Sequence, residues 1–188
     1  VIALVIGFIG QVGSGKSLSL VYEAYKYYLR GHTVYSNIKL NFPFIPLTFG
    51  RLQQMIENKE QLQDAVLLID ECHVFIDSRN SMKKRNKIVS YFILQTRKRN
   101  VRLLYTTQHL AQVEKRLRDT TDIIVFNKNL SNQTSLVSSG EYKPTYIRQE
   151  FLFQWSDNPK PKTRVIYGDP VFSLYDTREI IDMEDDED

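Results

Sequence analysis

Residues 1–9 form a nearly unbroken apolar run rich in β-branched side chains. Such a run predicts a strand buried on both faces. The period then changes. Leu20, Val21, Ala24, Tyr25, Tyr28 and Leu29 recur at helical spacing over residues 18–29, and Gly31 closes the helix. Thr33–Ser36 predicts a second short strand, which residues 37–40 would extend. Pro43 and Pro46 stand among Phe42, Phe44 and Phe49, so residues 41–50 predict an irregular connection, followed by a helix over about residues 52–62. Ala65–Ile69 is wholly apolar and predicts a third, buried strand. Ile88, Tyr91, Phe92 and Gln95 share one stripe of a helix predicted over about residues 84–98. Strands at 101–107 and 123–126 follow, with a short helix at 113–117 between them. Residues 127–140 are polar and predict a mobile loop. Alternation over 146–155 and 163–167 predicts a closing hairpin, split by Asn158, Pro159, Lys160 and Pro161.

Alternating strands and helices predict an α/β fold: three layers, a mainly parallel central sheet flanked by helices, and a C-terminal β-hairpin. A length of 188 residues suits one domain over 1–180, leaving 181–188 as an acidic tail expected to be disordered. The six carboxylates of that tail mask a body of net charge +9 inside an overall +3. A basic body points to a polyanionic partner. The single cysteine, Cys72, excludes an internal disulfide and a multi-cysteine zinc cluster. No stretch reaches the ~18 consecutive apolar residues of a membrane span, so no direct membrane insertion is expected. The expected setting is intracellular.

The chemistry begins where the first strand ends. Gly10, Gln11, Val12, Gly13, Ser14, Gly15, Lys16 and Ser17 fit G-x-x-x-x-G-K-[ST], and strand before with helix after is the context that motif requires. The glycines let backbone N–H groups approach an anion, and the helix that follows directs its positive end there. Lys16 would reach the β- and γ-phosphates of ATP, Ser17 would ligate Mg²⁺, and Leu18 completes the nucleotide-binding stretch. The third strand ends in Asp70 and Glu71. In a parallel sheet, groups at the carboxyl ends of strands share one edge. Asp70 would hold the Mg²⁺ shell and Glu71 would polarise the attacking water. Gln108, after the 101–107 strand, would sense the γ-phosphate and orient that water. Cys72 and His73 lack the partners a zinc site needs, and His73 is read as a neighbour of Glu71 or as structural.

Between Asp77 and Glu114 no carboxylate occurs, against nine cationic side chains. Lys83, Lys84, Arg85 and Lys87 at the entrance of the predicted helix would track a DNA backbone. Arg97 and Arg99 at its exit would act as arginine fingers on a neighbouring subunit's nucleotide, with Arg116 and Arg118 in reserve.

The ordered set of phosphate loop, Leu67-Leu68-Ile69-Asp70-Glu71 and Thr106-Thr107-Gln108 resembles the additional-strand P-loop ATPases of the FtsK–HerA superfamily. Gly13 to Leu18, Val34-Tyr35-Ser36-Asn37-Ile38, Phe75 near Asp70-Glu71, and Arg97-Lys98-Arg99 before the sensor strand look similar to the Zot-like members. The resemblance covers about residues 2–126. It implies a Mg²⁺-dependent ATPase coupled to translocation of double-stranded DNA, working as a homo-oligomeric ring of five or six subunits. The partner would be a viral capsid vertex or membrane-associated assembly proteins, and the location the host cytoplasm or the virion. The leading expectation is packaging of a viral double-stranded DNA genome. A Zot-like ATPase of filamentous virion assembly or secretion is the alternative, a nucleoside or nucleotide kinase a remoter one, and a scaffold that binds nucleotide without turnover the remotest.

Overall fold

The computed structural model describes residues 4–77, 82–97, 100–131, 143–154 and 160–180, of which 77, 82, 83 and 177–180 by backbone alone. Strand β1 (Leu4–Ile9) runs into the phosphate loop and helix α1 (Lys16–Tyr28). Strands β2 (Thr33–Ser36), β3 (Ile38–Leu40) and the two-residue β4 (Ile45–Pro46) precede α2 (Phe49–Glu57). Then come β5 (Ala65–Ile69), α3 (Cys72–Asp77), α4 (Met82–Thr96) and β6 (Arg102–Thr107). A 3₁₀ turn (Leu110–Gln112) and α5 (Lys115–Asp119) lead to β7 (Ile123–Asn129). The chain closes with β8 (Tyr146–Phe153), β9 (Lys162–Tyr167), α6 (Asp169–Phe172) and β10 (Tyr175–Ile180).

Among the described residues the main sheet has the order β4-β2-β5-β6-β1-β7-β8-β9. It is parallel from β4 to β7 and antiparallel over β8 and β9. Strand β6 thus lies between β1, which delivers the phosphate loop, and β5, which delivers the acidic pair. The register (Ile9 beside Thr107, Ile69 beside Tyr105) brings the carboxyl ends of all three to one edge.

Alternation along these strands feeds two cores. Val5, Leu67, Ile69, Leu103 and Tyr105 face one side and pack with Leu52, Met55, Phe75, Phe92 and Leu117. Phe8, Val66, Leu68, Leu104 and Val125 face the other and pack with Leu18, Leu20, Val21 and Ala24 of α1. Helix–sheet–helix layering follows, with strands buried on both faces as their continuous apolar runs require.

The chain departs from the sequence pattern at several points. Residues 37–40 do not extend β2. Ser36 Oγ donates to Ile38 O (2.7 Å) and accepts from the Ile38 amide (3.1 Å), which turns the chain at Asn37 and starts β3 in a second sheet. There β3 pairs with β10, a strand with no apolar alternation to announce it. The α2 helix begins three residues earlier than its apolar stripe because Thr48 caps it, accepting from the Arg51 amide at 3.1 Å. Residues 127–129, read as loop, continue β7, since β8 pairs with them through Asn129. The remaining loop residues 132–140, Asn158 and Pro159, and the tail 181–188 lie outside the described residues.

Candidate nucleotide site

The phosphate loop fills the gap between β1 and α1. Gly13 and Gly15 take φ of 77° and 88°, a region open to glycine without strain. Gly15 is also held closely: a Cβ there would lie 2.4 Å from Ile147 Cδ1 on β8. Asn129 on β7 reaches the loop, its Nδ2 donating to Gly13 O at 3.4 Å. Lys16 is buried and folds back over the loop, donating from Nζ to Gln11 O at 3.1 Å.

The acidic pair meets this loop across the sheet edge. Ser17 Oγ donates to Asp70 Oδ1 and Oδ2 at 3.0 and 2.9 Å. Two residues to which the sequence assigned no role of their own hold Asp70 in place. Asn37 Nδ2 donates to Asp70 O (2.9 Å) while Asn37 Oδ1 accepts from the Asp70 amide (2.7 Å). Thr106 Oγ1 donates to Asp70 Oδ1 at 2.6 Å and accepts from the Glu71 amide at 2.8 Å. One hydroxyl on β6 therefore sets both acids at once. The turn of the backbone at Asn37 is what lets its amide reach across; in a continuous strand the side chain would stand out from one face of the sheet.

Glu71 sits at φ +48°, strained for a residue with a side chain, and its carbonyl accepts from the Val74 and Phe75 amides at the start of α3. Its Oε2 lies 3.6 Å from His73 Nδ1, too far for a hydrogen bond, and both atoms are shut off from solvent with no hydrogen-bonding partner. Gln108 follows Thr107 directly, at the end of the strand between the loop and the acids. Cys72 is buried in the core as an ordinary apolar side chain.

A cleft of about 330 Å³ joins Gly13, Gly15, Lys16, Ser17, Leu18, Asp70 and Glu71, with Phe172 and Tyr175 on its far wall. Burial pushes the Tyr175 phenol up to about 12, with the Asp70 charge adding to the shift, so it is a neutral donor at pH 7. A larger hollow, about 750 Å³, opens between α2 and α4 among Ile56, Leu62, Tyr91 and Leu94. No phosphate-loop or acidic-pair residue lines it, so size is not what marks the chemistry here.

The cationic candidates are spread out. Lys84, Arg85 and Lys87 occupy the first turns of α4, and the side chain of Lys83 lies outside the described residues. Arg97 is exposed just past the end of α4, near Asp119 and Thr120, towards the amino ends of β6 and β7 and away from the phosphate loop of its own chain. Arg99 lies outside the described residues. Arg116 is tied within its own chain, donating to Asn86 O (3.1 Å) and Ser90 Oγ (3.3 Å).

A strand inserted between the phosphate-loop strand and the acidic strand, with a hydroxyl–carboxylate pair bridging their ends, defines a P-loop NTPase fold of the additional-strand type. Residues 4–150 match the profile of the zonular occludens toxin (Zot) family, and the chain belongs to that family. It is 24% identical to the gene 1 protein of Salmonella phage IKe, an alignment covering 91% of this chain and 55% of the relative. The chain therefore spans about half the length of the curated relatives it matches. Among solved structures it is similar to the N-terminal domain of zonular occludens toxin from Neisseria meningitidis (18% identity, TM-score 0.61, 93% of this chain and 100% of that one). It is also similar to the genome packaging NTPase B204 of Sulfolobus turreted icosahedral virus 2, in complex with ATP-gammaS (10% identity, TM-score 0.53, 86% and 97%). The likeness to Zot-like P-loop proteins, drawn from the motifs, holds. Among the described residues no helix is long and apolar enough to cross a membrane.

Proposed function

We propose that the chain hydrolyses ATP with Mg²⁺ and, as a homo-oligomeric ring, moves double-stranded DNA during assembly of a virus particle. The observation that supports this reading is the Ser17 hydroxyl set on both oxygens of Asp70, beside the Lys16 loop and next to Glu71. A hydroxyl and a carboxylate are hard oxygen ligands, the kind Mg²⁺ accepts in ones and twos alongside substrate phosphates. Described residues offer no cluster of three acidic, His or Cys side chains that would suit a different metal. When bound, Mg²⁺ neutralises charge on the β- and γ-phosphates.

The chain's own residues do the rest. Loop amides and Lys16 Nζ, once released from Gln11 O, hold the phosphates. Glu71 accepts a proton from water as the water oxygen bonds to the γ-phosphorus. The bond from that phosphorus to the bridging oxygen breaks, leaving ADP and phosphate. Gln108 orients the water and responds to loss of the γ-phosphate. Lys83, Lys84, Arg85 and Lys87 grip the DNA backbone without reading sequence, and Arg97 or Arg99 serves a neighbouring subunit's site.

A second reading keeps the ATPase but directs it at protein in virion assembly or secretion. The Zot family match and the likeness to a phage gene 1 protein favour it. Phosphate release from Mg-ATP, measured with and without duplex DNA across protein concentration, separates the two. A DNA motor gives release that rises with duplex and with chain concentration. Release indifferent to duplex supports the protein-directed reading. Absence of release without an added nucleoside acceptor would overturn both.

A further inference from the structure

One wall of the nucleotide cleft comes from the carboxyl-terminal part of the chain. Residues 168–176 cross beside the first turn of α1 as a strap pinned at both ends. On the β8 side the Gly168 amide donates to Thr145 O (2.7 Å), and Asp169 Oδ1 accepts from the Thr145 amide (2.9 Å). A Cβ on Gly168 would come within 2.9 Å of Leu18 Cδ1, so glycine is what lets the strap lie this close to α1. On the β3 side the Asn41 amide donates to Leu174 O (2.7 Å), Asn41 Nδ2 donates to Ser173 O (2.8 Å), and Tyr175 pairs with Leu40. Phe172 between these pins and Tyr175 at the second of them both line the cleft. The Phe172 side chain is exposed (43%) while Tyr175 is buried (6%).

Direction along the cleft decides what each ring meets. Phosphates on the loop amides and Lys16 place the γ end towards Ser17 and Asp70. The nucleoside must then leave the other way, past Leu18 towards Asn129, Thr145, Ile147 and Phe172, which line the rest of the cleft. An apolar wall with a few polar groups is the usual make-up of such a subsite.

We infer that the strap is the nucleoside-recognition element of this cleft, the Phe172 ring packing on the base or ribose of a nucleoside triphosphate and the Tyr175 phenol donating to a phosphate oxygen at the Asp70 end. The inference rests on a nucleoside triphosphate being the ligand, as proposed above. It is tested on the full chain by equilibrium binding of Mg-ATPγS and of inorganic Mg-tripolyphosphate, which has phosphates but no nucleoside. Phe172→Ala weakens Mg-ATPγS about ten-fold and leaves tripolyphosphate within about two-fold, the difference being the stacked ring. Phe172→Trp keeps the affinity for Mg-ATPγS, which separates loss of the ring from loss of fold. Tyr175→Phe weakens both ligands alike by about five-fold, because it removes one hydrogen bond to the shared phosphates. Unchanged Mg-ATPγS binding by Phe172→Ala, or equal loss of both ligands, overturns the base contact. Unchanged binding of both by Tyr175→Phe overturns the phosphate contact. Variants that bind as the unsubstituted chain does, in a protein that hydrolyses ATP, sink this inference alone. Binding with these differences but without turnover sinks the hydrolase reading alone. No binding of Mg-ATPγS by the unsubstituted chain sinks both.

Discussion

Thr106 carries more of the site than its residue type suggests. Its hydroxyl donates to Asp70 and accepts from the Glu71 amide, so Thr106→Val breaks two bonds at once and leaves a half-buried amide unpaired. The expected cost is about 2 kcal/mol of stability, read by urea unfolding, with a fall in turnover larger than the fall in nucleotide affinity. Glu71→Gln keeps shape and removes the carboxylate proposed above to accept the proton. It lowers phosphate release by about 10²–10⁴-fold while Mg-ATPγS still binds, which stopped-assay turnover and equilibrium binding together check. The motif residues Lys16, Ser17, Asp70 and Glu71 were legible in the sequence because each is tied to a strand end and a fixed spacing. Asn37 and Thr106 were not, although both stand within stretches that look Zot-like. Their value comes from which strands are neighbours in the sheet, and no single-strand pattern carries that.

At the level of elements, the antiparallel hairpin β8–β9 is bound to α1 through a polar chain under its surface. Arg164 donates from Nε to Gln149 Oε1 (2.8 Å) and from Nη2 to Glu23 Oε1 (2.5 Å), and its guanidinium lies over the rings of Phe151 and Tyr22. Asn127 Oδ1 accepts from Ser19 Oγ at 2.7 Å and reaches Gln149 at 3.5 Å. Arg164→Ala leaves Glu23 and Gln149 buried with lost partners. The expected result is about 2 kcal/mol of destabilisation and a melting temperature lower by about 6 °C, read by a thermal scan. The hairpin itself was legible from alternation. The strap was not: α6 is a single turn, and β10 is mostly polar, so neither offers a period to detect. Strand β3 was misread as part of β2 for a local reason, the Ser36 hydroxyl that bends the chain after it.

For the molecule as a whole, the buried tyrosines set its upper pH limit. Burial pushes Tyr91 up to about 12 from 10.0, and Tyr35 and Tyr105 in the same direction. The unfolded chain therefore loses these protons first. Stability is full below about pH 10 and falls as pH rises towards 12, which urea midpoints at pH 8 and 11 check against tyrosinate absorbance. Opposed charge makes a second prediction at this scale. The basic body, if it holds duplex through phosphates, must let go steeply as salt is raised, and a DNA affinity flat in salt would remove the backbone-grip reading.

The pairing of β10 with β3 sets Ile180 opposite Ile38, one residue from the Asn37 that clasps Asp70. Ile180, after which the sequence carries six carboxylates in eight residues, thus ends its strand beside Ile38, a residue that lines the cleft near Asp70. A triphosphate bound as proposed would bring strong negative charge to the same end of the cleft as Ile180. Trimming the chain after Ile180 is expected to tighten Mg-ATPγS binding in dilute buffer, with the gain fading once the screening length shrinks to about 3 Å near 1 M salt.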